Sequence, residues 1–346
     1  MTKSPARTME GMVAVVAGAT RGAGRGIARA LGEAGAIVYC TGRSVRGNPS
    51  PYGRRETIEE TAEMITAAGG SAVAVRVDHT QESEVRELFA RVERECGRVD
   101  LVADSVAGED PILGNWGSFW KADLTNGDTA LRQSVLSHVI TAKHAAALMV
   151  KRKRGLIVQV TENDLLFSGG GILAQFAKFS HKALASIWAA ELRQHGVASI
   201  AITPGFLRSE SMLERFGVTE KNWRDGGKKD VNFLESESPL FVGRAIVALA
   251  QDPLLLEQSG QLFSSWEVAR KYGITDVDGR RPDWGMLDID YSQVPASLME
   301  AIHDATVMHL AWLKVLLKRT DQFHAKFTAK TKPRSRVRKT ARSAKA

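Results

Sequence analysis

Cysteine is scarce in this chain of 346 residues, which contains only Cys40 and Cys96. Two cysteines cannot form a disulfide framework or a zinc cluster, so we expect a reducing compartment and no metal site. The chain also lacks any run of about eighteen apolar residues, and its first residues lack the apolar centre of a signal peptide. These absences argue against a membrane-spanning helix and a disulfide-rich secreted domain, and they predict a soluble, cytoplasmic protein.

Acidic residues are absent from residues 323–346, a tail that contains nine Lys and Arg residues. Without these nine, 38 basic residues face 39 acidic ones, so the rest of the chain is nearly neutral and is not a polyelectrolyte-binding fold. The tail is low in complexity, and we expect it to be disordered. Its charge suits nucleic acid or an anionic membrane, through phosphate neutralisation, or a purely solubilising role, which the sequence favours.

Apolar, β-branched runs alternate with amphipathic stretches along most of the chain. The runs predict strands at Met12–Ala17, Ala36–Cys40, Ala72–Val77, Leu101–Ala103, Leu156–Val160, Ser199–Thr203 and Gln261–Phe263. The stretches between them predict helices at about Gly24–Ala34, Thr57–Ala68, Glu82–Glu95, Asn126–Val150, Gln175–Gln194 and Pro239–Ala250. Strand and helix in repetition indicate parallel strands joined by crossover helices. The predicted fold class is α/β, a Rossmann-like doubly wound parallel sheet of about seven strands with a helical C-terminal extension.

Two segments depart from this alternation. Phe206–Ser238 is charged and follows the sixth predicted strand, where the carboxyl ends of parallel strands place ligands, so we expect a substrate lid there. Beyond the seventh strand, an extension precedes an amphipathic pattern that runs from Leu298 to Leu316. The predicted organisation is a Rossmann-type domain over 1–265, an extension with an amphipathic helix over 266–322, and a disordered basic tail over 323–346.

A glycine-rich loop follows the first predicted strand and opens the first helix. Its glycines are Gly18, Gly22 and Gly24, in the spacing GxxxGxG. Glycine lets a backbone approach a pyrophosphate closely, and a helix N-terminus offers free N–H groups and a partial positive charge. These glycines, with Thr20 and Arg21 of the same loop, predict a dinucleotide site.

The end of the second predicted strand separates NAD binding from NADP binding. An acidic residue there holds the ribose hydroxyls of NAD, whereas an arginine accommodates a 2′-phosphate. This chain has the run Thr41-Gly42-Arg43-Ser44 and no carboxylate at that point. With Arg21 as a second cation, the sequence predicts a preference for NADP(H) over NAD(H), and Thr41 and Arg43 are predicted binding residues.

Over roughly residues 8–265 the chain resembles the short-chain dehydrogenase/reductase family. Besides the glycines, the matching features are Val77-Asp78, Leu156-Ile157-Val158 and Pro204-Gly205. The resemblance implies hydride transfer between a nicotinamide and a carbonyl or alcohol carbon. It also implies that Asp78 meets the adenine and that Pro204, Gly205 and Ser209 lie at the cofactor. One further stretch, Ala269–Arg280, lies outside the common core and matches a subgroup of the family.

The residues that handle the proton in this family are substituted here. In the family a Tyr transfers the proton, a Lys four positions later lowers its pKa, a Ser polarises the oxygen and an Asn holds a water relay. None of the four tyrosines is followed by Lys at the fourth position. Alignment with the family places Lys182 at the Lys position, where it also meets the cofactor, and Lys178 at the Tyr position. Glu162, or less favourably Thr161, takes the Ser position. Ser134 falls near the Asn position.

Two functions stay open at this point. Lysines one helical turn apart repel each other, which lowers the pKa of at least one of them, so Lys178 can act as a general acid or base oriented by Glu162. The protein is then an NADP(H)-dependent oxidoreductase acting on a carbonyl or alcohol. Alternatively Lys178 has no catalytic role, and the protein is a degenerate NADP(H)-binding enzyme used as a scaffold or sensor. His181 on the same helix is interpreted as a packing or surface residue.

The resemblance also implies a homo-oligomer, either a dimer or a tetramer, that pairs through the fourth and fifth helices. The predicted helices Asn126–Val150 and Gln175–Gln194 carry apolar residues suited to such pairing, among them Val135, Ile187 and Trp188.

Overall fold

A parallel β-sheet forms the centre of the computed structural model, which describes residues 7–49, 53–107, 118–162 and 171–286. The strands are β1 (Val13–Ala17), β2 (Ile37–Gly42), β3 (Ser71–Arg76), β4 (Leu101–Asp104), β5 (Gly155–Val160), β6 (Val197–Thr203) and β7 (Leu262–Ser264). They lie in the order β3-β2-β1-β4-β5-β6-β7, and all neighbours are parallel. The predicted doubly wound α/β fold is confirmed, with strand ends shifted by at most about two residues.

Helices connect these strands in the described part of the chain. They are α1 (Gly22–Glu33), α2 (Ile58–Ala67), α3 (Glu82–Cys96), α4 (Gly127–Leu131), α5 (Ser137–Arg152), α6 (Ile172–Leu192), α7 (Glu210–Phe216), α8 (Pro239–Ala250) and α9 (Ser265–Tyr272). Short 3₁₀ turns occur at Phe119–Lys121, Arg193–His195, Trp223–Lys228, Val231–Glu235 and Trp284–Met286. The helix predicted over Asn126–Val150 is divided, because a π-helical turn at Arg132–Leu136 separates α4 from α5.

Local sequence explains several helix ends. The side chain of Thr57 accepts a hydrogen bond from the backbone N–H of Glu60, and Glu60 returns one to the backbone of Thr57, so a capping box starts α2. Gly97 ends α3 in the left-handed conformation, at a φ of +69°. Pro239 occupies the first turn of α8, where its missing N–H removes no helical hydrogen bond.

The core has one apolar layer on each side of the sheet. One layer joins the sheet to α1, α2 and α8 through side chains such as Ile27, Leu31, Ile65 and Ile246. The other joins it to α3 and α5 through side chains such as Leu88, Phe89, Ala145 and Met149. Since both faces are covered, the central strands are apolar along their whole length, as parallel strands require.

The segment predicted to be a lid, Phe206–Ser238, packs as an ordered part of the fold. A backbone bridge joins Leu207 to Glu237 at its two ends. Within the segment, Phe206, Phe216 and Phe233 form a cluster of rings with centroids 4.1 to 5.9 Å apart. The lid therefore has a small apolar core of its own.

The chain packs continuously across the predicted domain boundary at residue 265. Trp266 and Val268 of α9 are buried, and Val268 belongs to the core layer beneath α8. The described part of the extension, up to residue 286, belongs to the same compact unit as the sheet. The amphipathic pattern ending at Leu316 and the basic tail lie outside the described residues.

Cys40 and Cys96 form no disulfide bond with each other. Cys40 is buried, and Cys96 is half-buried. No helix in the described ranges is long and apolar enough to cross a membrane.

Candidate functional site

The glycine loop between β1 and α1 lies where the sheet divides, because β1 pairs with β2 on one side and with β4 on the other. In open α/β sheets, ligands bind in the crevice outside the strand ends at such a point. Gly18 has a φ of +78°, and a Cβ placed on it would lie 2.4 Å from the carbonyl oxygen of Ser105, which follows β4. Only glycine fits, so the loops after β1 and β4 come into contact here.

Helix α1 begins inside this loop, at Gly22. A Cβ on Gly24 would lie 2.1 Å from the carbonyl oxygen of Gly18, so a second close approach of backbone to backbone also requires glycine. Arg21, the residue before the helix, does not cap it with its side chain. A dinucleotide pyrophosphate fits this helix end, because its N–H groups and partial positive charge attract anions.

The lid contacts the same helix end. Glu210 Oε2 accepts a hydrogen bond from the backbone N–H of Gly22 at 2.8 Å, and its Oε1 lies 3.3 Å from an Nη atom of Arg25. The Cβ of Ser209 would lie 3.6 Å from a Cβ on Gly22. The structure thus brings the predicted residue Ser209 to the glycine loop and adds Glu210. Sequence reasoning missed Glu210 because 188 positions separate it from Gly22.

Arg21 and Arg43 are the predicted 2′-phosphate ligands. The residues that precede them, Thr20 and Gly42, lie close together. Thr20 Oγ1 would lie 2.9 Å from a Cβ placed on Gly42. Arg43 is half-buried and forms no ion pair with any residue in the described ranges. The two arginines therefore begin from neighbouring backbone positions, just beyond the ends of β1 and β2.

A buried carboxylate accompanies Arg21. Glu56 Oε2 lies 3.7 Å from Arg21 Nε, and Glu56 also hydrogen-bonds to the guanidinium of Arg54. Burial lowers the pKa of Arg21, whereas the charge of Glu56 raises it. The sequence analysis missed this group, because Glu56 and Arg54 lie more than ten residues beyond the end of β2. Arg21 is partly neutralised within the protein, and Arg43 is not.

Thr41 supports the loop from below. It is fully buried, and its Oγ1 donates to the carbonyl oxygen of Val16 at 3.1 Å and lies 2.8 Å from His79 Nε2. Its own carbonyl oxygen accepts hydrogen bonds from the backbone of Gly18 and Ala19. The Thr41 hydroxyl is therefore used inside the sheet, and a contact between Thr41 and the cofactor stays a prediction.

Asp78 follows β3 and is half-buried. Its Oδ1 accepts hydrogen bonds from the backbone N–H of Thr80 at 2.9 Å and from the Thr80 hydroxyl at 2.7 Å. These bonds fix the turn that precedes α3. The adenine contact of Asp78 stays a prediction.

Helix α6 carries Lys178 and Lys182, both half-buried and one turn apart. Thr161, at the end of β5, donates from Oγ1 to the carbonyl oxygen of Lys178 at 3.0 Å, which ties the strand to this turn of the helix. Glu162 is exposed. Its orientation of Lys178 stays a prediction.

Ser134 lies fully buried in the π-helical turn between α4 and α5. Its Oγ donates to the carbonyl oxygen of Ala130 at 2.8 Å, and its own carbonyl oxygen lies 2.5 Å from His181 Nε2. The extra residue of a π-helical turn releases a carbonyl from the regular ladder, and such turns are frequent at functional sites. Ser134 thus reaches α6 through its backbone, not through its hydroxyl.

A stacked pair of histidines lies beneath the lysines. The rings of His138 and His181 are 4.2 Å apart between centroids and nearly parallel, and both side chains are buried. His138 Nδ1 lies 2.7 Å from Gln159 Oε1, and its Nε2 lies 3.1 Å from the carbonyl oxygen of Val106. This pair links the loop after β4 to α5, β5 and α6.

Burial lowers the pKa of His181 well below its ordinary value, and the charges of His138 and Lys178 lower it further. A neutral His181 that donates from Nε2 to Ser134 fits this environment. Sequence reasoning gave His181 a packing or surface role and did not consider His138, because the two residues lie on different helices and meet only in the folded chain.

Pro204 and Gly205 follow β6 and are positioned by a buried acid. Glu237 Oε2 accepts hydrogen bonds from the backbone N–H of Gly205 at 2.9 Å and from Ser265 Oγ at 2.5 Å. Burial raises the pKa of Glu237 to about 8. Glu237 is therefore largely protonated at neutral pH, which removes the cost of burying its charge.

The glycine loop, the strand order and the lysine-bearing helix define the class of this protein. A family model described as short chain dehydrogenase matches residues 12–217. The chain belongs to the short-chain dehydrogenase/reductase family, a family of NAD(P)-dependent oxidoreductases.

Individual proteins show the same likeness. Dehydrogenase/reductase SDR family member 1 of Mus musculus is 38% identical over 298 residues, which cover 83% of this chain and 90% of that protein. The Homo sapiens protein of that name is 37% identical over 280 residues, covering 80% and 86%. A crystal structure of actinorhodin polyketide ketoreductase with NADPH superimposes with a TM-score of 0.59 at 19% identity, covering 76% of this chain and 97% of that one. The last likeness concerns the fold alone.

The raised pKa of Glu237 predicts a pH-dependent stability. Between the ordinary glutamate pKa of 4.5 and about 8, the unfolded chain loses this proton while the folded chain keeps it, so the free energy of unfolding falls as pH rises. Glu237→Gln removes this dependence and keeps an acceptor for Gly205 and Ser265. We expect the difference in Tm between variant and parent to increase in the variant's favour from pH 5 to pH 8, measured by calorimetry.

Glu257→Gln, a change at an exposed position, is the matched control. A Glu237→Gln difference that stays constant over this pH range contradicts the assignment.

Proposed function

We propose that this protein is an NADP(H)-dependent oxidoreductase that interconverts a carbonyl and an alcohol. The observation that carries the proposal is the pairing of the Gly18–Gly24 loop with Arg43, which follows β2 and has no carboxylate partner in the described ranges. In this scheme the pyrophosphate lies against the loop at Gly22 and Gly24, although the N–H of Gly22 itself is donated to Glu210. Arg43 and Arg21 hold the 2′-phosphate, and Asp78 meets the adenine. Pro204, Gly205 and Ser209 close the nicotinamide end.

The bound nicotinamide supplies or takes up the hydride, so the chain's own residues have to manage the proton. The hydroxyl hydrogens of Thr161 and Ser134 are both donated to backbone carbonyls. Each hydroxyl has a single hydrogen, so in this arrangement neither can donate to a substrate oxygen. We therefore assign both residues a supporting role, which leaves Lys178 as the candidate acid or base and Lys182 as its neighbour.

Lys178 has an environment suited to proton transfer. It is half-buried, it lies one turn from Lys182, and its backbone is held by Thr161. A lysine can serve as a general acid or base where a neighbouring cation and partial desolvation lower its pKa. The family resemblance further assigns Lys182 to the position of the lysine that meets the cofactor.

A non-catalytic NADP(H)-binding role is the second candidate. The observation in its favour is that Glu162, the residue expected to orient Lys178, is exposed to solvent. A scaffold or sensor needs the glycine loop and Arg43, but it does not need Lys178. The two functions therefore separate at Lys178.

We also propose that the protein is cytoplasmic and assembles as a homo-oligomer, as the resemblance implies. Its two unpaired cysteines agree with a reducing compartment. Helix α6 exposes a row of large apolar side chains, namely Ile172, Phe176, Phe179 and Ile187. Such a patch favours burial against a second copy of the chain.

The cofactor preference is tested at Arg43. The parent should bind NADPH more tightly than NADH, and Arg43→Asp should weaken NADPH binding by roughly 10- to 100-fold, the scale of a lost charge-assisted hydrogen bond. The measurement is a fluorescence titration with each nucleotide. Arg91→Asp, on the exposed face of α3, is the control and should leave both affinities unchanged. Equal binding of the two nucleotides by the parent contradicts the proposal.

The catalytic assignment is tested at Lys178. Lys178→Met should lower NADPH oxidation over a panel of carbonyl compounds by at least ~100-fold, the usual contribution of positioned proton transfer, and leave NADPH affinity unchanged. The parental rate should show an ionisation well below that of free lysine. Lys143→Met, an exposed lysine of α5 paired with Glu82, is the matched control.

Other outcomes of this test identify the second candidate or reject both. A parent that binds NADPH but is inert, together with a Glu162→Ser/Lys178→Tyr variant that reduces carbonyls, identifies the non-catalytic function. Robust turnover that survives the loss of Lys178 shows that the reaction uses other residues.

The oligomer is tested at Ile187, which is 53% exposed. Ile187→Lys places a charge in the proposed interface and should shift the mass measured by light scattering toward that of a monomer. Met64→Lys, at a 40% exposed site on α2, should not change the mass. A parent that is monomeric at micromolar concentration rules out this interface.

A further inference from the structure

A buried arginine lies at the start of the lid. Arg208 has no exposed side-chain surface, and its guanidinium lies 2.9 Å from Glu220 and 3.4 Å from Asp276. It also donates a hydrogen bond to the carbonyl oxygen of Ser236, and it lies 4.2 Å above the ring of Trp223. A buried cation needs such compensation, so the position of Arg208 depends on these partners.

Of the two carboxylates that pair with Arg208, Asp276 is fully buried. It lies in the segment after β7. Its Oδ2 accepts a hydrogen bond from the backbone N–H of Ser238 at 2.8 Å, and its Oδ1 accepts one from the Ser238 hydroxyl. Glu220, in contrast, is 45% exposed. Asp276 therefore holds both ends of the lid, Arg208 at its start and Ser238 at its end.

Arg280 strengthens the same connection. Its guanidinium donates to the carbonyl oxygens of Leu234 at 2.9 Å and Ser236 at 3.2 Å, and its own carbonyl oxygen accepts from the backbone N–H of Asp276 at 2.7 Å. It also lies 4.6 Å from the Trp223 ring, on which Arg208 packs too. The extension and the lid are thus joined by a network of polar contacts.

The residues after Arg208 connect this network to the glycine loop. Ser209 lies against Gly22, and Glu210 accepts the hydrogen bond of the Gly22 N–H and pairs with Arg25. One peptide bond separates Arg208 from Ser209, and two separate it from Glu210. A displacement of Arg208 would therefore move the wall of the crevice that faces the helix end.

We propose that Asp276 is a positioning residue of the nucleotide site, which seats Ser209 and Glu210 on the glycine loop through Arg208. The proposal rests on the proposed nucleotide binding. It assigns a role to the stretch Ala269–Arg280, which lies outside the residues that match the family model. Asp276 touches no nucleotide in this scheme and acts only through the lid.

The test compares two aspartates of the extension in the full chain. Asp276→Asn should raise the Kd for NADPH by at least about tenfold and should speed hydrogen exchange of the amides of residues 208–213. Asp283→Asn is the control, because Asp283 lies in the same extension and pairs with the exposed Arg270, outside this network. It should leave the Kd within about twofold of the parent value. Fluorescence titrations are made well below the Tm of every variant.

Binding stoichiometry separates positioning from general loss of fold. A purely structural defect lowers the number of sites per chain at an unchanged Kd, whereas loss of positioning raises the Kd at one site per chain. An unchanged Kd for Asp276→Asn overturns the inference. Tighter binding also overturns it, because the lid would then obstruct the nucleotide.

A second variant guards against misfolding. Arg208→Met/Asp276→Leu replaces the buried pair by apolar side chains and leaves no buried charge. We expect it to remain folded and to show the same rise in Kd. Parental affinity in this variant overturns the inference while the proposed function stands, whereas a parent that binds no NADPH overturns both.

Discussion

The crevice depends on close contact between backbones, which only glycine allows. A side chain on Gly18 would collide with the carbonyl of Ser105, and one on Gly24 would collide with the carbonyl of Gly18. These contacts place the N-terminus of α1 next to the loop after β4, where the two halves of the sheet diverge. The site for phosphates, the arginines beside it and the lid contact at Gly22 all follow from this geometry.

Most polar side chains under the site are used to hold backbone. Thr41 and His79 support the glycine loop, Thr161 holds the turn of Lys178, and Ser134 presents a carbonyl to His181. Buried hydrogen-bonding groups that are satisfied in this way give a rigid site. In this arrangement the hydroxyl hydrogens of Thr161 and Ser134 are donated to backbone carbonyls, which is why neither residue is proposed as the proton donor.

Electrostatic compensation is uneven across the crevice. Arg21 shares the buried carboxylate of Glu56 with Arg54, and Arg25 is paired with Glu60 and Glu210. Arg43 has no such partner in the described ranges, so its charge stays available to an anion. On the other side of the crevice, Arg208 is compensated by Asp276, and the lid is held by charge as well as by its aromatic rings.

The alternation of strands and helices, the glycine loop and the family can be recognised from the sequence, because strand periodicity, glycine spacing and short motifs are local properties. The seven strands and the lysine-bearing helix lie where the pattern predicted them, and Ser209 reaches the glycine loop. The folded structure was needed to show that Thr41 points into the sheet, that Glu56 accompanies Arg21, and that Glu210 and Asp276 connect the lid to the loop and the extension. These contacts join residues far apart in the chain, as does the stacking of His138 on His181. Their partners are chosen by packing and by the need to compensate buried charge, and a one-dimensional pattern does not contain that information.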